Sequence, residues 1–316
     1  MLNSNKISLF MDSGAFSAFS KGVEIKIDDY LDFLSDNKNY IDVYSVLDVI
    51  GDPEATLKNQ EYMESKGFNP LPCFHYGEDI KYLKGYLAKY EYIALGGMVP
   101  ISTKDLMVWL DNLFQTYICD KDGVPKVKIH GFGMTSLTLM LRYPWYSVDS
   151  TSWVMTSRFG SVYIPQRKQG KWAYDSNSWK VCVSNRSPSN KEEGKHFQTF
   201  SPMEQKVIFD YLDMKGFKLG KSEFRKEEKG YKLKEGERWF GKEEADSQRE
   251  VKGDRSGYVN TGWTNDRMVE TIIELGLCND YKQRDELNII YFLDLERNMP
   301  EWPWAFKLKS VRGFGL

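Results

Sequence analysis

The chain has 316 residues, of which 41% are hydrophobic and 15% aromatic, and carries a net charge of −2. That is ample for a sizeable core and excludes a chain disordered throughout. No apolar run approaches the roughly 18 residues needed to cross a bilayer, and the opening stretch MLNSNKISLF lacks the apolar centre of a secretory leader.

Cys73, Cys119, Cys182 and Cys278 are scattered and form no CxxC pair. The expectation is therefore a cytoplasmic protein with ordinary thiols, no disulfide framework, no resident metal and no cofactor. The small net charge conceals an asymmetry. Residues 1–157 hold 14 Lys/Arg against 20 Asp/Glu, whereas residues 158–255 hold 22 against 16. A polyanionic partner would meet the second part.

Short apolar runs recur along the chain: SLFMD at 8–12, DVYSVLDV at 42–49, PLPCFH at 70–75, YIALGG at 92–97, VKIHGFG at 127–133, YSVDS at 146–150, VYIP at 162–165 and WKVCVS at 179–184. Helical patterns lie between the early ones. DDYLDFLSDNK follows the first, and DPEATLKNQEYMESKG follows the second, with Asp52 as N-cap, Pro53 at the first helical position and Gly67 past the end. EDIKYLKGYLAKY and STKDLMVWLDNLFQTY follow the third and fourth. Apolar strands alternating with amphipathic helices predict parallel strands covered by helices. The fold class expected is α/β, a (β/α)8 TIM-like barrel with an appended mixed C-terminal segment; an open doubly wound sheet is the second arrangement.

After the sixth run the rhythm degrades. QRKQGKWAYDSNSW at 166–179 has no helical stripe and reads as a long hairpin. SPMEQKVIFDYLDMKGF at 201–217 reads as a capped helix, 218–255 is charged and aperiodic, and TNDRMVETIIELGL at 264–277 reads as a helix. The barrel is placed at 1–217 and the appended segment, with its C-terminal helices and nucleic-acid contact, at 218–316.

In a barrel of this kind the site lies at the C-terminal ends of the strands. Those ends carry Asp12, Asp48, His75, Gly96, Gly97, His130 and Asp149. One aspartate at such an end often caps the next helix. Three on one rim repel each other unless a ligand uses them.

At these positions the chain resembles the tRNA-guanine transglycosylases. DSGAF at 12–16 is similar to their DSGGF motif, and the remaining pieces follow in the family's order: LDVIGDP at 47–53, FHYG at 74–77, ALGGM at 94–98, IHGFG at 129–133 and SVDS at 147–150. FHYGE, GGM and SVDSTSW look closest to the viral and bacterial branch that places 7-deazaguanine bases in DNA. The resemblance implies a guanine transglycosylase with Asp149 as nucleophile and Asp12 as general acid/base. It also implies that Asp48 accepts from the N1 and 2-amino edge of the purine, and that the backbone at Gly96 and Gly97 reads its carbonyl or 7-substituent. Ser13 lies where the backbone approaches the base, Phe16 offers a ring for stacking, His75 stands where the family has a base-reading glutamine, and His130 flanks the base on its other face.

The family's zinc subdomain and N-terminal segment have no counterpart, which points away from tRNA and toward DNA as the partner, with a free base such as preQ0 as co-substrate. Reaching a sugar carbon inside a duplex requires flipping the nucleotide out, a step for which a duplex-opening protein would be a natural partner. Arg158, Arg167, Lys168, Lys171, Arg186, Lys191 and Lys195 are the expected phosphate contacts. Activity on tRNA, and a catalytically inactive barrel that binds nucleic acid or base, are the alternatives.

Overall fold

The computed structural model describes residues 8–134, 136–186, 193–228, 230–240 and 268–307. The chain packs into two units: one runs to Ser150 and takes back the segment from Pro300, and the other is Thr151–Met299. The sequence reading divided the chain at 217/218.

The first unit is built on short parallel strands: β1 (Phe10–Met11), β2 (Val43–Tyr44), β3 (Cys73–His75), β4 (Tyr92–Gly96), β5 (Lys128–Gly131) and β6 (Ser147–Val148). β1 pairs with β2, and β3 to β6 pair in order. A parallel bridge between Ser45 and Leu71 joins the two sets. Consecutive strands therefore lie side by side in chain order. Helices make the crossovers that parallel pairing requires: α1 (Ala15–Lys21) and α2 (Ile27–Asn37), then α3 (Pro53–Ser65), α4 (Ile80–Lys89), α5 (Thr103–Leu113) and α6 (Leu137–Arg142). The α/β class expected from the sequence is the class the chain adopts.

Two of the helices, α3 and α5, begin at the caps the sequence signals. Asp52 accepts the Ala55 N–H at 2.9 Å and Pro53 opens α3; Ser102 accepts the Asp105 N–H at 3.2 Å to open α5. Tyr30, Leu31 and Leu34 of α2 close over Val46, Leu47, Leu71 and Cys73, with Met63 of α3 in the same cluster. The segment from Pro300 returns to this unit. Phe306 N–H donates to the Gly123 carbonyl at 2.7 Å, Trp302 Nε1 donates to the Pro144 carbonyl at 3.1 Å, and the Phe306 ring lies 5.3 Å from that of Tyr143.

The second unit opens with α7 (Ser152–Arg158) and β7 (Ser161–Ile164), then β8 (Gln166–Lys168), β9 (Lys171–Ala173) and β10 (Trp179–Cys182). The sequence assigned 162–165 and 179–184 as the last two parallel strands. Instead β7 and β10 pair antiparallel with each other. Their connection carries no crossover helix; it folds as the hairpin β8–β9, and Gln169 and Gly170 at its tip have φ of 49° and 80°, the left-handed pair a tight hairpin favours. The long hairpin expected at 166–179 is present in this form.

α8 (Pro202–Lys215) starts with a reciprocal capping box between Ser201 and Glu204 and stops at Gly216. β11 (Lys221–Lys226), β12 (Glu237–Phe240) and β13 (Met268–Glu274) form an antiparallel sheet with β13 in the middle. The helix expected over 264–277 is thus corrected to a strand, 264–267 lying outside the described residues. Val269, Thr271, Ile272 and Ile273 are β-branched, which favours the pleated conformation, and the buried Glu270 meets Arg238 at 2.7 and 3.1 Å across the sheet. α9 (Tyr281–Asn298) closes the unit. Its buried Asn288 accepts from the Tyr163 N–H at 3.0 Å and donates to the Trp153 and Ser161 carbonyls. Among the described residues, no helix is long and apolar enough to cross a membrane.

Candidate functional site

The carboxyl ends of β1 to β6 all belong to the first unit. β1 stops at Met11, and the chain turns through Asp12, Ser13 and Gly14, the last at φ +75°, into α1. Ser13 is pinned from both sides: its N–H donates to Ser45 Oγ and its hydroxyl donates to Asp48 Oδ1, each at 2.9 Å. The turn after β1 is thereby tied to the residues that follow β2.

Asp12 is open to solvent on one side, yet its carboxyl is pushed above the usual carboxylate range. Loss of solvation is the first cause, the negative charge of Asp48 the second, and that of Asp149 adds to them. Hydrogen bonds from the Gly14 and Ser13 backbone act the other way without cancelling the rise. Asp48, beyond β2, and Asp149, beyond β6, therefore both bear electrostatically on Asp12.

His75 ends β3 and is held between two carboxylates. Its Nε2 lies 3.0 Å from Asp48 Oδ2 and its Nδ1 2.9 Å from Glu78 Oε1. Glu78 also accepts the His75 backbone N–H at 2.9 Å through its other oxygen. Cys73 Sγ is 3.5 Å from Nε2. Cys73 first, then the hydrogen bonds with Asp48 and Glu78, hold the imidazole well above its ordinary pKa against the opposing effect of burial, the largest single contribution. Both ring nitrogens are engaged, so His75 touches a ligand only by way of Asp48. Gly96 makes the room: a Cβ there would stand 2.9 Å from both Cys73 Sγ and His75 Cδ2. Gly97 follows at φ +68° and is exposed.

His130 sits on β5 and is only 2% exposed. Phe10 stacks on it at 4.3 Å and Phe132 meets it edge-on at 4.5 Å, which leaves no open face for a base. Its Nδ1 is 2.7 Å from the hydroxyl of Ser147, its partner in the β5–β6 register, and that hydroxyl is 2.6 Å from Tyr92 OH. Its Nε2 makes no hydrogen bond and lies 3.5 Å from Asp149 Oδ1. Asp149 is 49% exposed at the side chain and accepts the Gly133 N–H at 2.8 Å through the same oxygen. An open carboxylate held from behind is suited to nucleophilic attack. Phe16, on α1, is 57% exposed.

The first unit thus gathers Asp12, Ser13, Asp48, His75, Gly96, Gly97, His130 and Asp149 at strand ends, with Phe16 on the helix that follows Asp12. Glu78, Ser147, Tyr92 and Gly133 join them without having been expected. Glu78 stands three residues after His75 in FHYGE, and Ser147 faces His130 across the strand pair; both spacings were open to inspection.

The expected phosphate contacts lie in the second unit, apart from Lys191, which falls outside the described residues. Arg167 pairs with Asp210 at 2.8 Å and Lys168 with Asp175 at 2.7 Å. Arg186 donates to the Trp239 carbonyl at 3.0 Å and lies over the Phe240 ring, and Arg158 lies over Tyr281 at 4.8 Å. Lys171 and Lys195 are exposed. Among the described residues, no group of three or more His, Cys, Asp or Glu side chains is arranged to hold a metal ion. Comparisons of the chain with protein-family models, with curated proteins and with solved structures return no match.

Proposed function

We propose that this chain is a guanine transglycosylase that exchanges guanine for a 7-deazaguanine base, preQ0 or a relative, in DNA. The observation that carries the reading is the placing of Asp48 and Asp149 so that both bear on Asp12 from other strand ends, with the Asp12 carboxyl raised and the Asp149 carboxylate open. The six motifs that occur in the transglycosylase order support it. The sequential parallel strands support a TIM-like barrel as the scaffold, since sites in that fold gather at the carboxyl ends of the strands.

Exchange with retained configuration asks for two displacements. Asp149 attacks C1′ as the bond to guanine breaks, and the departing base takes the electron pair of that bond and a proton from Asp12. The sugar is then held as an ester of Asp149. Asp12, now ionised, removes the proton from the ring nitrogen of the entering base. That nitrogen attacks C1′ and releases the Asp149 carboxylate. A raised pKa suits Asp12 to both proton transfers. Neither displacement calls for a cofactor.

Labelled guanine offered with duplex DNA, single-stranded DNA or tRNA tests the reading. Label entering DNA is the expected result, label entering tRNA alone moves the substrate to the alternative polymer, and label entering neither leaves a binding protein.

A further inference from the structure

Glu78 has no part in the exchange chemistry, yet it spends both carboxylate oxygens on one residue, His75. The histidine in turn faces Asp48. We infer that Glu78 and His75 are positioning residues that fix Asp48 as a two-pronged acceptor, so that the site selects a base with two parallel N–H donors on one edge.

A neutral imidazole has one donor and one acceptor nitrogen. With carboxylate oxygens at 3.0 and 2.9 Å from its two nitrogens, a neutral His75 would set a lone pair against a carboxylate on one side. Two protons and a positive charge satisfy both contacts. The other groups around the ring are consistent with that state. Cys73 on β3, 3.5 Å from Nε2, is the neighbour that does most to raise the imidazole, and burial raises the hydroxyl pKa of Tyr86 on α4.

An ionised carboxylate offers about four acceptor sites, two on each oxygen. At Asp48, Ser13 occupies one on Oδ1 and His75 one on Oδ2. One site remains on each oxygen. Guanine and 7-deazaguanines present an N1–H and a 2-amino N–H side by side, which match that pair. Adenine presents an acceptor at N1 and meets a lone pair. Glu78 holds the pair in place by keeping the second proton on His75. The match to a guanine-type base rests on the proposed function; the doubly protonated, clamped His75 does not.

The test uses the full chain labelled with 15N-histidine. Its signals from His75, His130 and His196 are separated with a His75→Gln variant. In the wild type, His75 is expected to show two protonated ring nitrogens from pH 6 to pH 9. In Glu78→Gln it is expected to lose one of them within that range. A wild-type His75 that titrates between pH 6 and pH 8 overturns the proposal, whatever the activity.

Calorimetry with free guanine and free adenine gives the second readout. Guanine is expected to bind the wild type at least roughly 10-fold more tightly than adenine, the scale of one hydrogen bond to a charged group. Glu78→Gln is expected to reduce that ratio at pH 8.5 and to retain it at pH 6, where the ring reprotonates. A ratio that falls equally at both pH values assigns Glu78 a structural role and overturns the inference. A protein that transfers no base to any polymer, yet shows both readouts, would defeat the proposed reaction and leave the clamp standing.

Discussion

His130 Nε2 and Asp149 Oδ1 stand 3.5 Å apart across adjacent strands, and the Gly133 N–H reaches the same oxygen at 2.8 Å. The exposed carboxylate is thereby aimed from behind by one buried ring and one backbone donor. His130→Phe keeps the aromatic packing against Phe10 and removes the nitrogen. We expect adduct formation to slow by about 2- to 5-fold, the scale of a close approach to a charge that is not a hydrogen bond. The KM for free base should stay within a few-fold. Single-turnover kinetics on a denaturing gel separates the two.

Removing either of the two carboxylates proposed to act in the exchange should give opposite gel patterns. Asp149→Asn is expected to yield no covalent protein–DNA species. Asp12→Asn is expected to form it slowly and retain it, with turnover down by about 10²- to 10⁴-fold, the usual contribution of a proton-transfer group. A persistent adduct without Asp149 would assign the nucleophile elsewhere.

Burial and the Asp48 charge raise the Asp12 carboxyl. Its folded-state pKa lies above the unfolded one, so the native state binds the proton more tightly. Stability contributed by that proton is present at low pH and lost as pH rises through the folded value. Asp12→Asn should therefore be more stable than wild type at neutral pH and lose that advantage in acid, as read by urea titrations at pH 7 and pH 4. Carbon-detected titration of Asp12 adds a ranking: Asp48→Asn should lower its pKa more than Asp149→Asn, because Asp48 is the larger of the two charge effects.

Gly96→Ala would place a methyl group 2.9 Å from Cys73 Sγ and His75 Cδ2. Overpacking of this kind costs about 1–3 kcal/mol, and it displaces the ring that holds Asp48. Loss of guanine binding is expected beyond the loss of stability. Adding Cys73→Ala should restore part of both, a coupling that a double-mutant cycle measures.

Phe306 is buried between the Tyr143 and Phe114 rings. Phe306→Ala should destabilise the first unit by about 3–5 kcal/mol. Gly123→Ala should act through the same contact, since its Cβ would lie 2.3 Å from the Phe306 carbonyl oxygen at a backbone φ of +83°. Hydrogen exchange at the β5 amides reports both.

Much of the first unit was legible because its strands are largely apolar and α3, α4 and α5 carry side-chain caps, Asp52 with Pro53 being the clearest. The three aspartates were legible because each ends an apolar run. Glu78 was not, since a carboxylate in the turn after a strand looks the same whether it faces water or clamps an imidazole. His130 was expected beside a base, but the sequence does not say that Phe10 and Phe132 already cover its ring. In the second unit, the apolar residues of 268–274 suit a helical stripe and a central strand alike, and only pairing with β11 and β12 decides between them. The pairing of β7 with β10 likewise follows from the hairpin tip at Gln169 and Gly170 rather than from the strands themselves.

The contact of Trp302 with Pro144 spans 158 positions of chain. A ribosome adding about 5–20 residues per second makes the earlier partner wait roughly 8–32 s for the later one. During that interval the aromatic floor formed by Phe114 and Tyr143 stands without its lid, a window in which a nascent chain is open to chaperones or to a neighbouring polysome.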